Sequence, residues 1–337
     1  MTPSSPRVGI VFNASQPAAG RSDETISETS IQETAAAVHA ALTAVGYTAV
    51  LLPVHDDLLN LAVRLQQTPC ALLINLCEAF RGIPQLESHV AAFFEAMGWR
   101  FTGNGPATLA LCQQKFASKA LLKACSLPCA PGFLVEPGDD LPEMETPLIV
   151  KPNAEDASLG IYADSVIFEK SRLRPQVEKI WSDYHQAALV ERYVDGREFN
   201  VAVLQEGAQV RALPVSEISF SGMPDGMPHI VSYEAKWFEE HPLYQATVPQ
   251  CPAPVSKALQ EALQSLAVRA FRAMGCRDYA RVDFRVAGEQ EIYILEVNPN
   301  PDISPAAGYV RALKAAGLDY AGFWRIMMSN ALGRGVR

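Results

Sequence analysis

The chain has 337 residues, with 28 Lys and Arg against 37 Asp and Glu; the net charge of −9 excludes a bare nucleic-acid binder, because no basic run or stripe offsets it. An apolar fraction of 49% is enough for large cores, in two or three domains at about 100–200 residues each, while no apolar run approaches the roughly 18 residues of a membrane span. Cys70, Cys77, Cys112, Cys125, Cys129, Cys251 and Cys276 are odd in number and mostly set in apolar stretches, and the opening Met-Thr-Pro-Ser-Ser-Pro-Arg leads straight into a strand, so the expectation is free thiols, no targeting segment and a cytoplasmic location.

Residues 8–12 predict a buried strand, residues 28–45 an Ala-rich helix with Ser27 as N-cap, residues 47–54 a second strand and residues 71–76 a third. Strands alternating with helices predict an α/β, doubly wound parallel sheet. Ligands of such sheets sit beyond the carboxyl ends of the strands, here the polar segments after Phe12 and Leu76. A helix over 85–97 and Phe101-Thr-Gly-Asn104 close a first domain near residue 104.

Pro106 starts a helix and Lys115 falls between two helical segments. Strands over 133–135 and 147–152 follow, the second ending in Lys151-Pro152, then a loop over 153–161 that contains Ser158 and Gly160. Lys151 would leave its strand as a point charge, and the loop would offer backbone N–H groups to phosphate oxygens. After a helix over 171–184 come strands around Glu191 and from Glu198, separated by Asp195-Gly196. Residues 219–228 are rich in Gly, Pro and Ser, residues 238–254 read as Pro-dotted loop, and residues 255–274 read as a long amphipathic helix.

The last strand pair, residues 279–286 and 290–300, carries Arg281, Asp283, Glu296 and Asn298 at alternate positions, so that all four share one face. Oxygen ligands of this kind suit Mg²⁺, which takes a few carboxylates and leaves room for substrate phosphates. The same spacing also fits a solvated hairpin face with Arg281 paired to acids across the strands.

Arg281-Val-Asp283, Leu295-Glu-Val-Asn298 and Arg311-Ala-Leu-Lys-Ala-Ala-Gly-Leu318 resemble the end of a D-alanine–D-alanine ligase, a family of the ATP-grasp superfamily. Asn75-Leu-Cys-Glu78, Phe101-Thr-Gly-Asn104, Val150-Lys-Pro152, Leu159-Gly160 and Tyr233-Glu-Ala-Lys236 extend the likeness along nearly the whole chain. The resemblance implies a Rossmann-like pre-ATP-grasp domain over 1–104, then two α+β lobes over 105–190 and 191–337 with ATP between them. It implies a ligase that activates one amino-acid-like substrate as an acyl phosphate with ATP and a pair of Mg²⁺ ions (Mn²⁺ as a substitute), then joins it to an amine. It further implies a homodimer, with neither nucleic acid nor membrane as a partner.

Carried over residue by residue, the resemblance gives Lys115, Lys151 and Lys236 to the phosphates together with the loop at Ser158 and Gly160. It gives Glu191 and the backbone near Val194 to adenine, Glu198 to ribose, Asp283, Glu296 and Asn298 to the metal, and Arg281 to the oxyanion of the tetrahedral adduct. Glu28 stands nearest the glutamate that holds the first substrate's amine; its alternative is a carboxylate complementing a helix dipole. The chain departs from the family at its acceptor end: Asp302 replaces a glycine, Ala307 a serine that binds the second substrate's carboxylate, and Trp237 a smaller aromatic. Asp302 would either hold an acceptor group or cap a helix beginning near Ser304-Pro305. The expected function is amide formation with an acceptor other than D-alanine; the alternatives are a D-alanine–D-alanine ligase of cell-wall synthesis and a nucleotide-binding regulatory protein without turnover.

Overall fold

The computed structural model describes residues 6–14, 22–288 and 291–335, with side chains of the second segment described from residue 31. The first domain contains β1 (Arg7–Asn13), α1 (Ser22–Ala44), β2 (Thr48–Val54), α2 (Leu58–Gln67), β3 (Leu72–Asn75) and α3 (Glu87–Ala96). Its sheet is parallel, in the order β2-β1-β3. Alternation along β1 decides which core each side chain joins: Val8, Ile10 and Phe12 pack against α1, while Val11 packs against α2 and α3 on the opposite face. The doubly wound expectation is met.

Helix α1 begins at Ser22, upstream of the expected start. No Pro or Gly interrupts residues 22–27, so helical geometry runs back through Ser27, which is not the N-cap. The side chain of Glu28 lies outside the described residues. Helix α2, which the sequence reading passed over, is capped by Asp57, whose Oδ1 accepts from the N–H groups of Leu59 and Asn60.

Two helices follow, α4 (Pro106–Gln113) and α5 (Lys115–Ala124), then β4 (Gly132–Val135), β5 (Leu148–Pro152), β6 (Val166–Ile167), α6 (Leu173–Tyr184) and β7 (Ala188–Arg192). Strands β4 to β7 form a four-stranded sheet in the order β4-β7-β5-β6, with α6 covering a core of its own. Cys112 of α4 and Leu122 of α5 join a different core, behind the C-terminal sheet. The central lobe that folds around its own interior is therefore the sheet and α6.

The C-terminal lobe comprises β8 (Arg197–Glu206), β9 (Gln209–Ala212), β10 (Ser216–Ser219), α7 (Tyr233–Trp237), α8 (Pro242–Ala246), β11 (Val248–Gln250), α9 (Lys257–Ala273), β12 (Tyr279–Ala287), β13 (Glu291–Asn298), α10 (Gly308–Ala315) and α11 (Tyr320–Gly333). Its sheet runs β11-β10-β8-β12-β13, with β9 on β8. Helix α7 spans the Tyr233-Glu-Ala-Lys236 stretch: Ser232 Oγ accepts from Ala235 N–H and starts the turn. Residues 238–254, read as loop, include α8 and β11.

One apolar core crosses from the first domain into the C-terminal lobe, joining Val8, Ile10 and Val38 to Tyr309, Phe323 and Trp324. Polar contacts reinforce the junction. Asp278, 0% exposed, accepts from Gly103 N–H at 2.7 Å and from Arg334 Nη1 and Nη2 at 2.6 and 2.9 Å. Asn104 Nδ2 donates to the carbonyls of Tyr279 and Pro299 at 2.8 and 2.6 Å.

Candidate active site

Strands β12 and β13 pair antiparallel with Arg281 opposite Asn298 and Asp283 opposite Glu296. Val282, Phe284, Ile294 and Val297 are buried behind them, so the four polar side chains are left on the open face. The register shifts between Asp283 and Phe284, where Leu295 is the extra residue. Because this bulge lies beyond Asp283 and Glu296, it leaves the shared face intact.

Arg281 grips Asp283 with both arms, Nε to Oδ1 and Nη2 to Oδ2, each at 2.7 Å. Lys115 Nζ lies 3.3 Å from Glu296 Oε2, donates to Asp156 Oδ1 at 3.4 Å and also donates to the Glu155 carbonyl. Burial by itself would raise the Glu296 carboxyl, but Lys115, Lys151, Arg281 and Lys236 outweigh it and hold the group at about 2. In return, Glu296 and Asp156 lift the buried Lys115 above its ordinary value. Cations from four elements thus face one carboxylate.

Lys151 leaves β5 and meets Glu191 Oε2 at 2.7 Å, while Lys119 of α5 meets Glu191 Oε1 at 2.6 Å. All three are buried. The carboxylate expected at adenine is therefore occupied in bracing two lysines, and burial is overcome by Lys119 and Lys151 so that it stays ionised down to about 2. Val194 lies buried just beyond β7. Glu198 Oε2 accepts from Arg285 Nη2 at 2.7 Å; burial raises its carboxyl and Arg285 opposes the rise.

The loop over 153–161 closes against α7. Ser158 Oγ donates to the Val231 carbonyl at 2.9 Å, Tyr233 N–H to the Ile161 carbonyl at 2.8 Å and Trp237 Nε1 to the Ala157 carbonyl at 3.0 Å. Trp237, expected beside the acceptor, thus commits its one donor to the loop. Gly160 has φ +78°, and a Cβ there would sit 2.4 Å from Pro152 Cγ. Gly160→Ala is accordingly expected to displace the loop and raise the KM for ATP about tenfold, a loss of about 1.4 kcal/mol, measurable by ATP-dependent steady-state kinetics.

Lys236 is accessible to solvent yet crowded by protein and by Arg281, which together keep its ammonium below the ordinary value despite Glu296, Asp283 and Asp156. Asp302 Oδ1 accepts from Ser304 N–H at 2.8 Å, and its Oδ2 from Ser304 Oγ at 3.2 Å. It closes a turn rather than capping a helix, because α10 starts only at Gly308 with Ala307 as N-cap. Ala307 offers no side-chain oxygen to the first N–H groups of α10.

Lys119 and Glu87 escaped the sequence reading. Lys119 lies one helical turn from Lys115 on α5, a spacing that gives both lysines one face. Glu87 Oε1 accepts from Asn300 Nδ2 at 2.8 Å, a contact between the first domain and the loop after β13; nothing local marks it.

Among the described residues no group of three or more His, Cys, Asp or Glu side chains converges as a metal site. Two facing carboxylates and an amide nevertheless fit Mg²⁺, which relies on few protein oxygens when phosphates supply the rest. No helix among the described residues is long and apolar enough to cross a membrane.

The family described as D-ala D-ala ligase C-terminus matches residues 140–329. A D-alanine–D-alanine ligase of Acidiphilium cryptum is 30% identical over 87% of this chain and 91% of its own length. The protein y4sG of Sinorhizobium fredii, itself uncharacterized, is 34% identical over 74% of this chain and 71% of its own length. In three dimensions the chain superposes on a D-alanine–D-alanine ligase from Bacillus anthracis, complexed with ATP, with a TM-score of 0.73 at 19% identity, covering 97% of this chain and 98% of that one.

Proposed function

The chain belongs to the D-alanine–D-alanine ligase family, whose members are ATP-grasp ligases forming carbon–nitrogen bonds, and from that premise we propose that it joins two amino-acid-like substrates through an acyl phosphate, with an acceptor other than D-alanine. The observation that supports this reading is the set of four cations around Glu296, contributed by α5, β5, α7 and β12. Bringing a carboxylate against a triphosphate is chiefly a problem of charge and alignment.

Lys115, Lys151 and Lys236 would neutralise the phosphates, and Arg281 would stabilise the oxyanion that forms when the amine attacks. Asp283, Glu296 and Asn298 would hold Mg²⁺, or Mn²⁺ in its place; when bound, the metal supplies positive charge to the transferring phosphoryl group. The loop over 153–161, tied down at Ser158 and Trp237, would exclude water from the activated acid. Ala307 removes a hydroxyl at the acceptor end, and Asp302 adds a carboxylate there. A site that loses a donor discriminates against the ligand group it once matched. The cytoplasmic setting and a homodimer remain part of this reading.

The relatives' names favour a second reading, an ordinary D-alanine–D-alanine ligase. Incubation of the protein with ATP, Mg²⁺ and single or paired amino acids and amines separates the two, with ADP and product mass followed. ADP release only with another acid and amine pair supports the proposal. Dipeptide from D-alanine alone, at an ordinary rate on the order of 1 s⁻¹ or above, overturns it. Failure of every pair to release ADP would leave a protein without turnover.

A further inference from the structure

Resting on that reading, in which an amine attacks an activated carboxylate, we propose that Glu78 takes the proton from the attacking ammonium, with Asp302 as its neighbouring carboxylate. Glu78 follows the carboxyl end of β3, and its N–H donates to Asn13 Oδ1 at 3.1 Å, at the carboxyl end of β1. The preceding carbonyl, Cys77 O, accepts from Asn300 Nδ2 at 3.1 Å, and Asp302 lies two residues beyond Asn300. The first domain and the loop after β13 therefore bring two carboxylates together, beside Lys236 and Arg281. The Glu78 side chain opens to solvent, as a group that must meet a substrate requires.

The charges facing Glu78 come from four elements. Asp302 from the loop after β13, Asp156 from the loop over 153–161 and Glu87 from α3 are acidic, and Lys236 of α7 opposes them. Cys77 and Tyr279 also face it and are held neutral by burial. Enclosure by protein and then the Asp302 charge raise the Glu78 carboxyl to about 7. A carboxyl raised by its surroundings and by a neighbouring like charge is suited to take a proton, and a base works best near the operating pH.

In the proposed step, R–NH₃⁺ gives one proton to the Glu78 carboxylate. The freed lone pair forms the C–N bond to the acyl carbon, and the C–O bond to phosphate breaks as the adduct collapses. The second N–H proton leaves with the departing phosphate, and Glu78 returns its own to solvent.

The test uses hydroxylamine, an amine already unprotonated at neutral pH, as acceptor with each amino acid of either chirality as donor, followed as hydroxamate. The same donors are run in parallel with ammonium-type acceptors. Glu78→Gln is expected to slow amide formation from ammonium acceptors by about 10²–10⁴-fold, and the deficit is expected to shrink to a few-fold with hydroxylamine. In the unaltered enzyme kcat/KM should rise with pH through about 7, and Asp302→Asn should move that rise to lower pH. Equal deficits with both kinds of acceptor, or an unmoved rise in Asp302→Asn, would overturn the proton-transfer role while leaving the ligase reading standing. Absence of hydroxamate and ADP from the unaltered enzyme with every donor would overturn the ligase reading, and the base with it.

Discussion

Replacing Glu191 by glutamine is expected to destabilise the protein by about 3–5 kcal/mol, because it leaves the buried ammonium groups of Lys119 and Lys151 facing a neutral amide. The carboxylate is ionised in the fold down to about 2, against about 4.3 for an unfolded glutamate. A depressed carboxyl pKa contributes stability that is fully present above the unfolded value and disappears as the pH falls through the folded one. The gap between variant and parent should therefore be constant from neutrality to about pH 5 and narrow between about 4.3 and 2. Thermal or urea unfolding across that range is the measurement. A gap that persists unchanged at pH 2 would show that packing, rather than charge, sets the loss. Glu191 also reaches between lobes, since Lys119 belongs to α5, whose Leu122 joins the C-terminal core, and Lys151 belongs to the central sheet. Loss of ATP affinity should accompany the loss of stability.

Glu296→Gln is expected to act on the reaction rather than on the fold. The side chain is 32% exposed, so its ion pair with Lys115 contributes at most about 1 kcal/mol. Lys115 would keep Asp156 and the Glu155 carbonyl as partners, so melting should move little. ADP formation, by contrast, should fall by roughly 10²–10³, the usual cost of removing one preorganised electrostatic group from such a site, and half-maximal rate should require more Mg²⁺. A Mg²⁺ titration of ADP release checks both. An unchanged metal dependence would remove Glu296 from the metal site.

The face that carries Arg281, Asp283, Glu296 and Asn298 was legible because strands announce their two sides. Val282, Phe284 and Val297 can only point inward, and the intervening polar residues then have one direction left. Even the bulge at Leu295 does no damage, since the pairs that matter precede it. The doubly wound first domain was legible for the same reason, from Val8, Ile10 and Phe12.

What escaped depends on partners distant in sequence. The bracing of Lys119 by Glu191 escaped because nothing local shows that α5 delivers the lysine to it across 72 positions. The bond from Trp237 to the Ala157 carbonyl likewise joins residues 80 positions apart. The start of α1 was misplaced because residues 22–27, polar but for Ile26, carry no apolar period to mark them as helical. Asp302 was read either as a ligand or as a helix cap; its bonds to Ser304 show a third use, a turn stabilised by its own side chain. Glu78 stands in the sequence only as part of a motif, because what raises its carboxyl, enclosure by the folded protein and then Asp302 from another lobe, exists only after folding.

The core shared by Val8, Tyr309 and Trp324, with the clasp of Gly103 and Arg334 on Asp278, also sets the kinematics of a catalytic cycle. On the proposed reaction, the first domain and the C-terminal lobe would act as one stator, and the sheet of β4 to β7 with α6 would be the swinging arm. Glu78 and Asp302 both ride on the stator, so their separation stays constant while the arm moves. Lys151, Glu191 and the loop at Ser158 ride on the arm. On the proposed reaction, opening withdraws Lys151 and the loop at Ser158 from the nucleotide, keeps Lys115 and Lys236 in place, and leaves the acceptor wall electrically unchanged. ADP departure and release of the joined product are then two mechanically separate events.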